Sequence, residues 1–169
     1  MTISMYNASV PVFKQLLTSL SKVLDKAEAH AAAKKIEQEV FIQARLYPDM
    51  FALARQVQIA ADFAKGVSAR LAGVEVPAYE DNEKTFGELK ARIQKTLDFI
   101  ESLDQSKFDA AAQREIVLRP GTPKETKFGG LAYLLSYGMP HFYFHVTTAY
   151  AILRHNGVEI GKGDFIGLN

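Results

Sequence analysis

Apolar residues recur at three- and four-residue spacing over four long stretches of the chain, the pattern of helices that each bury one face. These stretches are Ser9–Ala33, Asp49–Gly73, Thr85–Leu103 and Gly129–His155, and a shorter helix is predicted over Ile36–Leu46. Four long amphipathic helices without a competing set of strands predict an all-α protein that folds as an antiparallel four-helix bundle. We expect residues 1–169 to form a single domain.

Local signals mark the ends of the predicted elements. Asp49 stands where the N-cap of the second long helix is expected, and Thr85-Phe-Gly-Glu88 matches a capping box. Between the third and fourth long helices, Glu115–Arg119 and Lys124–Phe128 flank the turn residues Pro120–Pro123. This order predicts a small irregular β-hairpin before the last helix.

Composition then narrows the classes of function. Twenty basic and nineteen acidic residues leave a charge of +1, so the chain has no basic excess with which to bind nucleic acid. The absence of cysteine excludes disulfides, thiolate metal ligands and thiol nucleophiles. No apolar run approaches the roughly 20 residues that span a bilayer, and the N-terminus lacks the pattern of a signal peptide. We therefore expect a soluble, cytoplasmic protein without a membrane partner.

The most suggestive chemical feature is the pair His141 and His145, four residues apart on the last predicted helix. This spacing stacks the two imidazoles on one helical face, roughly 6 Å apart, from which both can reach one zinc, nickel or ferrous ion. Alternatively, both rings lie in an aromatic layer and bond backbone carbonyls; its other members would be Phe142, Tyr143, Phe144 and Tyr150. The spacing alone leaves both interpretations open.

Pro140 directly precedes the histidine pair and removes one helical amide donor. It either kinks a continuous helix and opens a cavity, or it occupies the first turn of a new helix. Tyr137 and Tyr143 are candidates to line such a cavity and to donate hydrogen bonds into it. The remaining histidines are weaker site candidates, because His30 has the setting of a surface residue and His155 that of a helix C-terminus.

Longer segments resemble the DinB/YfiT-like metalloenzyme superfamily and, more closely, an uncharacterised bacterial branch of it, a domain of unknown function. The resemblance to the superfamily lies in the last helix, in Leu134–His145 followed by Ala151–Arg154. The closer match spans nearly the whole chain and includes Ser4–Phe13, Arg45–Phe51, Gln56–Lys65 and His141–Gly157. Members of the superfamily are four-helix bundles and often homodimers, so the resemblance implies that this chain forms a homodimer.

The resemblance also implies a divalent-metal site. Many members hold the metal by one histidine from the second helix and two from the last, and some are thiol-dependent transferases. The last-helix pair corresponds to His141 and His145, but near the place of the second-helix histidine stand Gln58 and, one turn on, Asp62. The resemblance thus makes Gln58 or Asp62 the third ligand or a polar group of the cavity. A glutamine oxygen is a poor ligand for zinc-like ions, so the metal affinity should be reduced.

Two functions follow from these residues. One is a small-molecule metalloenzyme, or a degenerate form of one, in which the ion acts as a Lewis acid or lowers the pKa of a bound water or thiol. The other is a non-catalytic dimeric bundle that binds an apolar ligand or a partner helix in a cavity beside Pro140. The sequence does not choose between them.

Overall fold

The structure is a computed structural model that describes residues 3–167. Its helices are α1 (Val10–Lys34), α2 (Gln38–Ile42), α3 (Leu53–Ala72), α4 (Phe86–Glu101), α5 (Gly130–Ala132), α6 (Met139–His155) and α7 (Lys162–Ile166). A 3₁₀ turn spans Gln105–Phe108, a π-helical segment covers Tyr133–Gly138, and the two strands are β1 (Glu115–Leu118) and β2 (Thr126–Gly129). The prediction of a mostly helical protein with a small hairpin is confirmed. None of the helices within residues 3–167 combines the length and hydropathy that a membrane-spanning segment requires.

The long helices bury their apolar faces against one another. Helix α3 packs against α4 and α6, and α1 contacts the same two helices from its own side. Phe13 of α1 and Phe142 of α6 are fully buried and meet edge to face, with ring centroids 4.8 Å apart. Helix α3 also buries the small side chains of Ala60, Ala61 and Ala64 completely, which lets its neighbours approach closely.

The start of α4 follows the local sequence signal. The Thr85 hydroxyl accepts the backbone N–H of Glu88 at 3.1 Å, and the Glu88 carboxylate accepts the backbone N–H of Thr85 at 3.0 Å. The predicted capping box is therefore present. The prediction of Asp49 as an N-cap is wrong, because α3 begins at Leu53 with Ala52 at the capping position. Residues 47–50 form a separate turn instead, and α3 begins after it.

The hairpin lies where the turn residues predicted it. Strands β1 and β2 are antiparallel, with Glu115 opposite Gly129. The chain then enters α5 at Gly130, where a Cβ atom would lie 1.8 Å from the carbonyl oxygen of Ala111. Only glycine fits at this point, because the backbone between the 3₁₀ turn and β1 lies directly against the start of the last helical stretch.

The last helical stretch is widened before the histidine pair. Residues Tyr133–Gly138 form π-helical turns, and Pro140 follows in the first turn of α6. A proline lacks the N–H that an α-helix would donate to the carbonyl four residues earlier, and a π-bulge is one way in which a helix absorbs this loss. Both alternatives for Pro140 thus describe part of the structure: it occupies the first turn of α6, directly after a local distortion.

Candidate functional site

His145 is buried between α6 and α3, with 7% of the residue exposed. Its Nδ1 atom lies 2.7 Å from Oε1 of Gln56. The orientation of the Gln56 amide is fixed at its other end, where Nε2 donates to the backbone carbonyl of Phe51 at 3.1 Å. Turning the amide over would bring two oxygens face to face, so Oε1 accepts a hydrogen bond from Nδ1–H of His145. The second ring nitrogen, Nε2, then carries a lone pair.

The environment of His145 also keeps the ring uncharged. Burial lowers the pKa of His145 from 6.5 to about 4, and the neighbouring His141 and Arg55 act in the same direction. The neutral imidazole is the form that serves as a base or a metal ligand. Metal-ligating histidines in proteins typically donate their other ring N–H to an oxygen acceptor, as His145 does here.

His141 lies one helical turn earlier, on the exposed side of α6. Its ring stacks on Phe63 of α3, with centroids 4.6 Å apart and an interplanar angle of 7°, and it lies 4.6 Å from the ring of Tyr137. The Phe63 ring is also nearly parallel to that of His145, with centroids 6.1 Å apart. The residue of α3 that faces both imidazoles is therefore an aromatic ring, which offers no metal ligand.

Gln58 does not face the histidines. It is buried on a different side of α3, where its Nε2 donates to Glu83 at 2.9 Å and its Oε1 accepts from Arg55 at 3.2 Å. The expectation that Gln58 shares a space with the pair is corrected, because Gln56 holds that place. Two residues turn an α-helix by about 200°, so neighbouring glutamines of α3 face opposite partners.

Asp62 belongs to a charged cluster that joins α3, α4 and the loop between them. Arg92 of α4 has only 2% of its side chain exposed and pairs with Asp62, Asp81 and Glu83 at 2.9–3.0 Å. Lys65 adds a second cation, 2.9 Å from Asp62. The carboxylate of Asp62 thus neutralises two cations, and binding a metal ion would require it to leave them.

The donor set fits a divalent ion in part. The two imidazoles are nitrogen ligands of the kind that zinc and nickel accept. Across residues 3–167, however, no three His, Cys, Asp or Glu side chains come close enough together to hold an ion. Any ion at His141 and His145 would therefore complete its coordination with water or with a bound small molecule.

Two cavities border the histidines. One has a volume of about 230 Å³ and is lined by Asp49, Met50, Phe51, Gln56, Phe144 and His145. The other is a wide depression of about 430 Å³ formed by Pro140, His141, Phe144 and His145. A small molecule can therefore reach the pair from the surface of α6.

The remaining predicted residues lie in different settings. Tyr137 lines a further cavity together with Phe63. Tyr143 is 42% exposed, and its described ring contact is with Phe142, the residue before it. His155 is exposed at the end of α6, while the ring of His30 meets Phe41 edge to face, outside the cavities described above.

Gln56 and Phe63 are the functional candidates that sequence reasoning missed. They stand seven residues apart, which is two helical turns, so both project from the same stripe of α3. That stripe faces α6, as their contacts with His145 show. Their spacing is visible in the sequence. It does not show which neighbouring helix contacts this stripe of α3.

Comparison with known proteins identifies a family and a similar solved structure. The model of a family described as "Domain of unknown function (DUF1993)" matches residues 5–166. Among solved structures, the chain is similar to a DinB family member protein from Shewanella denitrificans, with 41% sequence identity and a TM-score of 0.91. That match covers 96% of this chain and 92% of the other chain. No curated protein matches this chain significantly.

Proposed function

Because the chain belongs to the DUF1993 family and is DinB-like, we propose that it binds a divalent metal and a small molecule at His141 and His145. We propose zinc, nickel or ferrous iron as the ion, in keeping with two imidazole ligands. The protein would then be a small-molecule metalloenzyme or a degenerate relative of one. The resemblance of the last helix to DinB-like metalloenzymes supports this class of function, and the geometry around His145 supports the choice of residues.

The hydrogen bond between Gln56 and His145 carries the proposal. It assigns the proton to Nδ1, and it leaves the lone pair of Nε2 available at neutral pH. The second hydrogen bond, from Gln56 to the carbonyl of Phe51, fixes the acceptor and with it the orientation of the His145 ring, as a bond to the other ring nitrogen does at metal-ligating histidines. Gln56 therefore acts as a positioning residue for His145.

The residues around the histidine pair have different roles in the proposed site. Gln56 orients His145, and Phe63 stacks against His141 and keeps water from one side of the pair. A bound ion would supply Lewis acidity or lower the pKa of a bound water or thiol. With two protein ligands, the affinity should be lower than that of a three-ligand site, and the open positions leave room for a substrate.

Metal titration of untagged protein tests the proposal. Calorimetry with Zn²⁺, Ni²⁺ and Fe²⁺, the last under anaerobic conditions, should give about one ion per chain for the wild type, and the double variant His141→Ala/His145→Ala should lose this binding. The matched control His155→Ala removes an exposed imidazole from the end of the same helix and should bind as the wild type does. Equal binding by the wild type and the double variant would contradict the proposal.

A second candidate function is the binding of an apolar ligand without catalysis. It is favoured by Phe63, which occupies the position of α3 that faces both imidazoles, and by the apolar lining of the cavity beside His145, with Met50, Phe51 and Phe144. A thermal shift with small apolar ligands, together with no shift from divalent metals, would favour this function over the first.

We further propose that the chain is a single-domain antiparallel four-helix bundle, that it forms a homodimer, and that it is cytoplasmic. The mutual contacts of α1, α3, α4 and α6 support the bundle. Leu131, Leu135 and Phe144 of the last helical stretch are 50–56% exposed and offer apolar surface for a second copy. Light scattering should give twice the chain mass, and Leu135→Lys should shift the mass toward the monomer.

A further inference from the structure

A cavity of about 220 Å³ lies where α3, β1 and the π-helical segment meet, beside Phe63 and Tyr137. Its other lining residues are Asp62, Val67, Arg70, Leu118, Arg119 and Tyr133. The cavity is smaller than the roughly 300–1,000 Å³ of sites for drug-sized ligands. A molecule about the size of one aromatic ring therefore suits it better than a nucleotide or a peptide.

Two arginines, Arg70 and Arg119, line this cavity without a carboxylate partner among the described residues. Arg70 is half-buried and donates to the carbonyl of Gly66 at 3.1 Å and to the hydroxyl of Tyr133 at 3.3 Å. Within the described part of the chain, neither Arg70 nor Arg119 has an Asp or Glu oxygen within 4.0 Å. A planar guanidinium with free N–H groups matches the two oxygens of a carboxylate.

Tyr133 adds a neutral donor to the same wall. The residue is 1% exposed, and its hydroxyl oxygen accepts from Arg70, which leaves its own proton to donate. Burial raises the pKa of Tyr133 above its ordinary value, so the hydroxyl keeps that proton at neutral pH. The wall thus presents three donors, Arg70, Arg119 and Tyr133.

The backbone conformation of Arg119 is held by its neighbours. Arg119 has a φ of +53°, in the left-handed region that residues other than glycine rarely adopt. Its carbonyl accepts from the N–H and the hydroxyl of Thr122, at 3.3 and 2.9 Å, which holds this conformation after β1. Non-glycine residues in this region persist where the structure determines them, and they are common at ligand sites.

The only carboxylate among the described lining residues, that of Asp62, does not cancel the positive charge of the two arginines. Asp62 has Arg92 and Lys65 within 3.0 Å, so its negative charge is compensated by two cations outside the lining. We propose that the cavity binds a small organic carboxylate with a planar apolar body. The carboxylate bonds Arg70, Arg119 and the hydroxyl of Tyr133, and the apolar body lies against Phe63 and Tyr137. This goes beyond the proposed metal site, because it uses neither histidine nor a metal ion.

Ligand titration by fluorine NMR tests this proposal. The probe is para-fluorobenzoate, titrated into metal-free protein of residues 1–169 at low ionic strength. The neutral analogue para-fluorobenzamide has nearly the same shape without the charge. Inorganic phosphate offers an anion without the apolar body, and its binding is followed by displacement of the fluorinated probe. Benzoate should bind saturably, the amide at least about tenfold more weakly, and phosphate more weakly than benzoate.

A matched pair of variants locates the binding. Arg119→Gly removes the guanidinium at a position whose backbone glycine adopts readily, and it should weaken benzoate binding by about tenfold. Lys35→Gly is the control, because Lys35 is also basic and exposed, has a φ of 55° and does not line the cavity. It should leave the affinity unchanged, and so should His155→Ala, which removes an exposed imidazole from the end of α6.

Several results would overturn the proposal. One is the absence of saturable benzoate binding up to about 10 mM. Others are equal affinity for the benzamide, tighter binding of phosphate, or the same benzoate affinity in Arg119→Gly as in Lys35→Gly. Thermal melts of each variant show whether the chain is folded before its affinity is compared.

Discussion

Acid should destabilise the folded chain through His145, and the variant His145→Gln isolates this effect. In the folded chain, the pKa of His145 is lowered from 6.5 to about 4, first because the ring is buried and then because of His141 and Arg55. In the unfolded chain, the ring regains its ordinary pKa. The unfolded state therefore binds a proton at a higher pH than the folded state, and protonation favours unfolding.

The size and direction of the effect follow from these two pKa values. The stability that His145 contributes by remaining neutral is fully present above about pH 6.5 and is lost progressively as the pH falls toward 4. Between about pH 7.5 and 4.5, the loss amounts to about 2.5 kcal/mol of the free energy of unfolding. Below the folded-state pKa no further loss arises from this group.

Urea denaturation followed by circular dichroism, at constant ionic strength, measures the effect. Carboxylates protonate over the same range in the wild type and in the variant, so the difference between their free energies of unfolding isolates residue 145. The amide of a glutamine at this position can still donate to Gln56. His155→Gln is a matched variant, because it removes one exposed imidazole from the same helix and from the unfolded chain.

The advantage of the wild type over His145→Gln should shrink by about 2.5 kcal/mol as the pH falls from about 7.5 to 4.5. A difference that stays constant over this range would refute the argument. So would a direct NMR titration in which His145 protonates near its ordinary pKa, since the ring would then not be buried as described.

Three further substitutions test the surroundings of the site. Gln56→Leu leaves the buried ring N–H of His145 without its acceptor, so urea unfolding at neutral pH should show that the free energy of unfolding falls by about 1–3 kcal/mol. An unchanged free energy of unfolding would contradict the hydrogen bond. Arg92→Met removes the buried cation that pairs with Glu83, which is 10% exposed, and with the partly exposed Asp62 and Asp81, so it should cost about 1–3 kcal/mol and speed hydrogen exchange in residues 74–85; unchanged exchange would speak against an anchored loop. Gly130→Ala places Cβ against the Ala111 carbonyl and should cost at least about 2 kcal/mol, whereas Gly129→Ala enters open space and should change stability by less than about 0.5 kcal/mol; equal effects would contradict this contact.

Features decided by neighbouring residues were predictable from the sequence. The capping box needs only Thr85 and Glu88, three residues apart, and it is present. The hairpin around Pro120–Pro123 depends on local turn chemistry and is also present. Asp49 shows the limit of such signals, since a good capping residue does not begin a helix when the chain makes another turn first.

Features decided by the arrangement of helices were not predictable. The spacing of His141 and His145 identified the pair. The residue of α3 that hydrogen-bonds His145 is Gln56, whereas we expected Gln58, two positions later. Helix α3 has neighbours on several sides, so its periodicity shows that it is buried and not which stripe faces α6. The cavity between Arg70 and Arg119 joins residues 49 positions apart, which no local pattern connects.

The state of the His145 ring nitrogens is the most direct test of the account. Long-range ¹H–¹⁵N NMR of the imidazole at neutral pH distinguishes a protonated Nδ1 from a protonated Nε2. We predict a neutral ring with its proton on Nδ1, held by Gln56, and an unprotonated Nε2. A ring protonated on Nε2, or on both nitrogens, would contradict it.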